Sequence, residues 1–368
     1  MQIRGAVLRS CDTPLVVETL ELEPPRTGEV LIEMKASGVC HSDWHVVTGD
    51  SVVDLPVVLG HEGSGVVVEL GPGVEGLSVG DHVALSWIPF CGECRACRHG
   101  HPNLCAVHLP ALWAGTMLDG TRRLRDAAGA EVYHLSAIST WATHSVVPAV
   151  SCVLMPDVPF EVSALIGCGV TTGVGAALNK ARVHPGSTVA VYGGGGVGLS
   201  IVMGAVLSGA AKIIVIDRNP AKESLARSFG ATHFVSTDDG TDPVGAVRGL
   251  TGGVGADYAF DAVGHTGIES QLIDTVAAFG TAVLVGIPKA GSTFAVDPAA
   301  VLREEKTLTG SIFGSAHTHR DFAHYAELFL AGKLPIDRLV TGRYDLEQVN
   351  DACAEMLTGA AGRGVIVF

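Results

Sequence analysis

The sequence predicts an α/β protein in which a doubly wound parallel sheet interrupts a β-rich domain. Two observations carry this prediction. Residues 1 to about 85 contain short runs of alternating apolar and polar residues between Gly and Pro turns, a pattern typical of β-strands. From residue 188 to about residue 312, apolar strand-like runs alternate with helical stretches, which is typical of a parallel sheet covered by helices.

Composition restricts the class of protein. The chain has 368 residues, more than one ordinary core holds, so two domains are expected. Its formal net charge of −14 argues against nucleic acids and anionic membranes as partners. No apolar run has the length of a membrane span and the N-terminus does not resemble a signal peptide, so a cytoplasmic protein is expected. The nine cysteines are then expected to be reduced, and a cluster of them indicates a metal or catalysis.

The predicted strands of the β-rich part lie between turn signals at residues 24–25, 71–73 and 80–81. They contain residues 7–8, 15–17, 30–32 and 65–70. A last apolar run at residues 364–368 has no sheet of its own nearby, so we expect this strand to return to the N-terminal domain. Helices are expected before it, near residues 320–331 and 346–358.

Metal-binding residue types follow the third of these strands. Residues 40–45 place a thiol, a hydroxyl, a carboxylate and two imidazoles within one turn. Cysteine, histidine and carboxylate are ligands that zinc binds. A polar loop with one chance cysteine is the alternative at this position. His61 alone would also fit a hydrogen-bonded turn, and Cys168 alone would fit a small core residue.

Four cysteines within 15 residues give the sharpest local signal: Cys91, Cys94, Cys97 and Cys105. Four thiolates at this spacing close a tetrahedral shell without an open position, which indicates a structural zinc. An iron–sulfur cluster is the alternative, although the last gap of seven residues matches neither ferredoxin spacing. Disulfides are disfavoured by the expected reducing compartment.

A glycine-rich turn predicts nucleotide binding. Gly193, Gly195 and Gly198 lie between a predicted strand at residues 188–192 and a helix at residues 197–209. The next strand, residues 212–217, ends in an acid nineteen residues after the last glycine. This is the context of a dinucleotide fingerprint, in which the glycines permit the turn, the approach of a pyrophosphate and the packing of the helix. Further strands are expected at residues 258–263 and 281–286, and helices near residues 221–229, 243–250 and 267–278.

Taken together, the motifs at residues 38–43, 60–62, 91–105, 167–173 and 193–198 resemble the zinc-dependent medium-chain alcohol dehydrogenases. The resemblance covers essentially the whole chain. It implies a GroES-like catalytic domain, residues 1–169 and 313–368, interrupted by a Rossmann NAD-binding domain, residues 170–312. It also implies two zinc ions per chain, NAD as cofactor, an alcohol or aldehyde as substrate and a homodimer.

The resemblance also implies a role for individual residues. The catalytic zinc ligands would be Cys40, His61 and Cys168, with Glu62 as an outer or transient ligand and Asp43 orienting the histidine. Ser42 and His45 would carry the substrate proton toward solvent. The cofactor contacts implied, besides the three glycines, are His41, Thr172, Val197, Asp217, Arg218, Lys222 and Arg363. The pocket positions implied, besides Ser42, are Trp87, Leu135, Ser136, Ile287 and Ile312.

The chemistry of this ligand set suits alcohol oxidation. Two thiolates and one neutral imidazole leave zinc a fourth position for a substrate oxygen, whose pKa the metal would lower. The large Trp87 would crowd the reacting carbon, while the small Ser42 and Ser136 widen the rest of the pocket. A primary alcohol with an elongated apolar or aromatic tail is therefore expected. The Asp217 carboxylate would repel a 2′-phosphate, so NAD is expected over NADP.

Three alternatives are weighed against this function. One branch of the family oxidises a glutathione adduct of formaldehyde and carries an arginine where this chain has Leu109. A non-catalytic zinc- and nucleotide-binding relative would lack a ligand or part of the proton relay. A zinc-independent quinone reductase would lack the ligands altogether. Elsewhere, Arg122, Arg123 and Arg125 are expected on a solvated face, and Cys11, Cys152 and Cys353, which have no assigned role, in the core.

Overall fold

The computed structural model describes residues 1–359 and 362–368, which divide into two compact units. The first unit contains Met1–Cys168, His317–Thr358 and Arg363–Phe368. The second contains Gly169–Ala316 together with the described residues Gly359 and Gly362.

The described residues form the following strands: β1 (Gln2–Leu8), β2 (Val16–Leu22), β3 (Glu29–Gly38), β4 (Val57–Val58), β5 (Gly63–Leu70), β6 (His82–Leu85), β7 (Leu124–Arg125), β8 (Glu131–His134), β9 (His144–Pro148), β10 (Cys152–Leu154), β11 (Thr188–Tyr192), β12 (Lys212–Asp217), β13 (His233–Ser236), β14 (Ala256–Asp261), β15 (Val276–Leu284), β16 (Thr307–Gly310), β17 (Val340–Tyr344) and β18 (Arg363–Val367). The α-helices are α1 (His41–Val47), α2 (Arg95–Arg98), α3 (Leu109–Trp113), α4 (Phe160–Leu165), α5 (Thr171–Gly175), α6 (Gly196–Leu207), α7 (Glu223–Ser228), α8 (Pro243–Leu250), α9 (Thr266–Thr275), α10 (Pro298–Arg303), α11 (Thr318–Leu330) and α12 (Val349–Leu357).

The first unit is built from a closed barrel and an open sheet. The barrel has the order β1-β2-β7-β8-β4, and the sheet has the order β10-β6-β5-β3-β18-β17 with β9 also paired to β3. The last strand, β18, pairs antiparallel with β3 and parallel with β17. The expectation that the terminal strand returns to the N-terminal sheet is therefore confirmed.

The second unit is a six-stranded sheet in the order β13-β12-β11-β14-β15-β16, and every pair in it is parallel. Numbered within the unit, this order is 3-2-1-4-5-6, the order of a doubly wound nucleotide-binding sheet. Strand β11 carries Thr-Val-Ala-Val-Tyr and is buried along nearly its whole length, as expected of a central strand covered on both faces. The predicted doubly wound sheet is confirmed.

Some predicted helix bounds were wrong. The helix predicted at residues 267–278 ends at Thr275, because Val276 begins strand β15 and pairs with Ala256. Two other helices begin with a 3₁₀ turn, at Pro220–Lys222 and at Leu346–Gln348. In the latter, Asp345 and Gln348 form a reciprocal capping box, which fixes where that helix starts.

The prediction that Arg123 lies on a solvated face was wrong. Its side chain is fully buried and donates through Nε and Nη2 to both carboxylate oxygens of Glu29 and to Asp119. A buried guanidinium requires such charged partners, because burial without them is costly. Among the cysteines without an assigned role, Cys152 and Cys353 are buried as expected, whereas Cys11 is exposed.

One helical stretch, Phe160–Ala181, is long and apolar enough to cross a membrane by length and composition. Among the described residues, 83% of an apolar 18-residue segment of this stretch is buried inside the protein, as in a core helix.

Candidate active site

Four metal-binding side chains converge in the first unit: Cys40, His61, Glu62 and Cys168. One ligand atom from each lies within 4.8 Å of the others. They come from three separate stretches of the chain, so the fold rather than local sequence assembles the group. The three ligands that the family resemblance implied, and the glutamate expected beside them, are brought together.

The backbone places each of these ligands at an irregular position. Strand β3 ends at Gly38, and Cys40 follows as the extended residue that precedes helix α1. His61 follows Gly60, whose φ of +87° is accessible chiefly to glycine. Cys168 lies in a single π-helical turn, Ile166–Val170. Such turns are often found at functional sites because they locally displace the side chains of a helix.

The carboxylate of Asp43 orients His61. Its Oδ1 accepts hydrogen bonds from His61 Nδ1 and from the Gly60 backbone N–H, both at 3.0 Å. This leaves Nε2 of the imidazole for a metal, and that atom is buried with no hydrogen-bond partner among the described residues. A buried, unpartnered imidazole nitrogen facing two thiols fits a zinc ion, and a carboxylate behind the ligand is the usual arrangement.

Burial and neighbouring charges set the protonation of the group. Burial raises the pKa of the Glu62 carboxyl, and the guanidinium of Arg363 opposes that rise. Burial likewise raises the pKa of Asp43, against the effect of His61. The Cys168 thiol, by hydrogen bonding to the Cys40 sulfur, holds the pKa of Cys40 well below its usual value. One of the two sulfurs is therefore readily available as the thiolate that a metal requires.

The second cluster is formed by four sulfur atoms that also lie within 4.8 Å of one another, those of Cys91, Cys94, Cys97 and Cys105. The backbone N–H groups of Glu93 and Cys94 donate to Cys91 Sγ at 3.4 and 3.3 Å. The Cys97 backbone N–H contributes most to lowering the pKa of Cys94, to about 6. Four sulfurs without a fifth donor in the group fit a closed, structural zinc shell.

The two residues assigned to proton transfer, Ser42 and His45, both lie on α1. Ser42 Oγ is 3.7 Å from Cys40 Sγ, next to the candidate metal position. His45 is partly exposed, and its Nδ1 lies 3.8 Å from Oδ2 of Asp50. Asp50 was missed from the sequence. The sequence signal that could have found it is Gly49, because a glycine after a helix often turns the chain back, as its φ of +70° does here.

Three of the predicted pocket residues lie in the first unit. The Trp87 ring packs edge-on to the His61 ring, with centroids 6.2 Å apart and planes at 82°. Leu135 and Ser136 are buried, and Ser136 and Ala137 both have positive φ angles. The other two pocket residues, Ile287 and Ile312, are exposed side chains of the second unit.

The glycine-rich turn of the second unit has the geometry that nucleotide binding needs. Gly193 has a φ of +97°, and a Cβ on Gly198 would lie 1.7 Å from the Gly193 carbonyl oxygen. Gly195 precedes α6 directly, and a Cβ there would meet nothing within 4 Å. The glycine at that position therefore leaves open space at the helix N-terminus, which suits a pyrophosphate.

The acid at the end of β12 is buried and hydrogen-bonded. Asp217 Oδ2 accepts from the Gly194 backbone N–H at 2.7 Å and from Lys222 Nζ at 2.9 Å. Arg218 beside it is exposed. Among the remaining predicted cofactor contacts, His41 is exposed, Thr172 and Val197 are half-buried, and Arg363 is buried against Glu62 in the first unit. Their contacts with a nucleotide stay predictions.

Comparisons with known proteins agree with this geometry. Residues 26–157 match the family model of the alcohol dehydrogenase GroES-like domain, and residues 196–331 match that of the zinc-binding dehydrogenases. Alcohol dehydrogenase B of Mycobacterium tuberculosis is 40% identical, with 100% of this chain and 99% of that protein covered. S-(hydroxymethyl)glutathione dehydrogenase of Paracoccus denitrificans is 35% identical over 100% of both chains.

A solved structure extends the agreement to the whole fold. The crystal structure of benzyl alcohol dehydrogenase from Acinetobacter calcoaceticus superposes with a TM-score of 0.94 at 33% identity. The alignment covers 100% of this chain and 99% of that one. Both family models match, and relatives align over their full length. The chain therefore belongs to the zinc-dependent medium-chain alcohol dehydrogenase family and is an NAD-dependent zinc oxidoreductase, in agreement with its two metal-binding groups.

Proposed function

We propose that this enzyme interconverts primary alcohols that carry an elongated apolar or aromatic tail and the corresponding aldehydes, with NAD. The observation that carries the proposal is the convergence of Cys40, Cys168 and the unpartnered Nε2 of His61 in one buried position. Zinc, when bound there, supplies a Lewis acid that lowers the pKa of a hydroxyl group.

The chain's own residues account for the rest of the reaction. Asp43 holds His61 in the tautomer that presents Nε2, through the contact at Nδ1. Ser42, 3.7 Å from Cys40 Sγ, would accept the proton of the substrate hydroxyl while its own hydroxyl proton passes on toward His45. His45 lies one helical turn further on and is partly exposed, so it can release that proton to solvent.

The proposed substrate class rests on the shape of the residues around this position. Trp87 stands edge-on to His61, which leaves little room for branching at the carbon that bears the hydroxyl. Ser42 and Ser136 occupy less volume and leave room for a tail. The relative that acts on benzyl alcohol supports an aromatic tail for this chain.

The second candidate is oxidation of a thiol adduct of formaldehyde, which the name of the Paracoccus denitrificans relative suggests. An anionic adduct would need a cation to hold it. This chain has Leu109 at the first position of α3, where the branch of the family that uses such adducts carries an arginine. The first candidate is therefore preferred. A non-catalytic role is disfavoured because the ligand set and Ser42 are all present.

We also propose a cytoplasmic homodimer. The cysteines of the two metal-binding groups must be thiolates to bind zinc, and a reducing compartment keeps them so. Among the described residues, strand β16 is an end strand of the six-stranded sheet, and such an edge can pair with a second copy. Sedimentation of the purified protein tests the stoichiometry.

The function is tested by steady-state kinetics with NAD on a panel of alcohols and on the glutathione adduct of formaldehyde, following NADH absorbance. Benzyl alcohol and longer primary alcohols are expected to have a higher kcat/KM than ethanol or 2-propanol. Cys168→Ala should be inactive while it stays folded. Turnover of the glutathione adduct alone would favour the second candidate, and no turnover of any alcohol by the zinc-loaded protein would refute the proposal.

A further inference from the structure

Trp141 joins two of the three chain segments that carry the candidate metal ligands, those of Cys40 and His61. Its side chain is one of the largest that are fully buried among the described residues. Its indole Nε1–H donates to the Gly38 carbonyl at 3.2 Å, two residues before Cys40. Its backbone N–H donates to the Leu59 carbonyl at 3.0 Å, two residues before His61.

The preceding residue, Thr140, repeats this bridge. Its Oγ1 lies 2.6 Å from Oγ of Ser37, at the end of β3, and both side chains are fully buried. Its backbone N–H donates to the Gly60 carbonyl at 2.9 Å. Residues 140 and 141 therefore each contact the segment before Cys40 and the segment before His61.

The packing around this pair is too close to adjust freely. A Cβ on Gly60 would lie 2.5 Å from Cδ1 of Trp141 and 2.6 Å from Oγ1 of Thr140. The preceding turn is fixed by Ser139, whose Oγ accepts from the Leu135 N–H at 3.0 Å and donates to the Val58 carbonyl at 2.9 Å. Ser139 itself has a φ of +40°, a strained conformation that persists only where the surroundings hold it.

We infer that Thr140 and Trp141 are positioning residues of the catalytic metal centre. The inference rests on the proposed ligand set. Cys40 and His61 come from different stretches of chain, so their separation depends on what ties those stretches together. A metal site tolerates only about 0.2 Å of error in its ligand distances, so loosening this tie lowers metal affinity. The Gly38 N–H also donates to the Glu62 carbonyl at 2.9 Å. Because this second link between the two segments remains, removing the Trp141 contact should loosen the site without separating the segments.

The test variant is Trp141→Phe, which keeps an aromatic ring and deletes the N–H that reaches Gly38. The matched control is Tyr192→Phe, which deletes a buried hydroxyl 2.6 Å from Oγ1 of Thr275 in the second unit. The variants are compared by zinc release to a chelator, by the absorption spectrum after Co²⁺ replaces the catalytic zinc, and by urea unfolding.

Trp141→Phe is expected to bind one of its two zinc ions roughly tenfold more weakly or worse, the cost in affinity typical of changing a residue behind a metal ligand, and so to release that ion faster. Its cobalt bands should shift, while its unfolding midpoint falls no further than that of the control. Release and spectrum equal to those of Tyr192→Phe would overturn the inference. If Trp141→Phe does not fold, Thr140→Val replaces it, with the same expectation and the same refuting outcome.

Failure of the proposed ligand set would look different. It would appear in the wild type, as one zinc per chain or as a Cys168→Ala protein that still holds two. Neither result depends on Trp141 or Thr140.

Discussion

Arg363 and Glu62 form an ion pair beside the candidate zinc ligands, with side chains only 8% and 0% exposed. The same guanidinium nitrogen also donates to the Val39 carbonyl at 3.0 Å. The last strand of the chain thereby contacts both segments from which Cys40 and His61 come. A charge buried to this degree is tolerated because its partner is present.

Removing that partner is expected to be costly. Glu62→Gln removes the carboxylate that is ion-paired with the buried Arg363 cation, so the free energy of unfolding should fall by about 3–5 kcal/mol. Glu347→Gln is the control, since it breaks the Arg4 pair, whose side chains are 46% and 62% exposed. The control should lose less than about 1 kcal/mol. Equal losses in urea unfolding would show that burial of the pair does not matter.

The two cysteine clusters are expected to hold zinc for different purposes. Elemental analysis should find about two zinc ions per chain, one for each ligand group. Cys94→Ser opens the closed four-sulfur shell, so it should lower stability and yield. Cys168→Ala should abolish turnover while circular dichroism stays unchanged. A fully active wild type with one zinc would contradict this division.

Trp87 is expected to restrict branching at the reacting carbon. Trp87→Ala removes the ring that stands edge-on to His61, so secondary alcohols should gain kcat/KM relative to primary ones. Small primary alcohols should bind more weakly because the space beside the metal is no longer filled. The ratio of kcat/KM for 2-butanol and 1-butanol measures this effect. A wild type that already favours 2-butanol would rule out the assigned role.

Asp217 is expected to select NAD. Its carboxylate lies at the end of β12, where a 2′-phosphate would meet like charge, so NADP should be used poorly by the wild type. Asp217→Gly removes that charge and leaves Lys222 and the exposed Arg218, two cations suited to a phosphate. The preference in kcat/KM should shrink or reverse. Equal use of both cofactors by the wild type would refute the assignment.

His134 is expected to make stability depend on pH. Burial, with Arg123 and Arg122 nearby, lowers the pKa of its imidazole from 6.5 to about 3. Its Nε2 accepts the Arg123 backbone N–H at 3.0 Å, which requires the neutral ring. At pH values between these two, the imidazole is protonated in the unfolded chain but neutral in the folded protein. Stability from this group is therefore present above pH 6.5 and is lost progressively as the pH falls toward 3.

His134→Gln should remove this dependence while it keeps an acceptor for Arg123. The slope of unfolding free energy against pH between about 6.5 and 4.5 should be smaller in the variant, by up to about 1.4 kcal/mol per unit. The other histidines and the zinc ligands contribute equally to the slope in both proteins, so their contributions cancel in the comparison. Parallel slopes would contradict the prediction.

The sequence was most informative where structure is local. Strands β11 and β12 match their predicted bounds because a buried parallel strand is apolar throughout, and Gly193 and Asp217 mark where they end. The end of α9 was missed because Val276 and the two alanines after it continue an apolar run that a helix would also accept. The pairing of Val276 with Ala256, which the sequence alone does not show, makes this segment a strand.

Contacts between distant residues could not be predicted from a single sequence. Arg123 looked like one of three surface arginines, because its partner Glu29 is 94 residues away. Trp141 carries no local signal, since its indole meets Gly38 across 103 residues. The candidate zinc ligand Cys168 is just as distant from His61 but was found, because the motifs around both residues resemble those of a known family.

The pairing of β18 with β3 also fixes an order of events during protein synthesis. Val39 leaves the ribosome 324 residues before Arg363, which at 5–20 residues per second is roughly 16–65 s. The second unit draws nearly all its residues from one uninterrupted stretch, Gly169–Ala316, and can fold while the ribosome is still translating. The first unit must keep an edge of β3 unpaired until β18 has been synthesised. A chain truncated before Arg363 would therefore have the second unit, an exposed edge of β3 and a Glu62 without its cation.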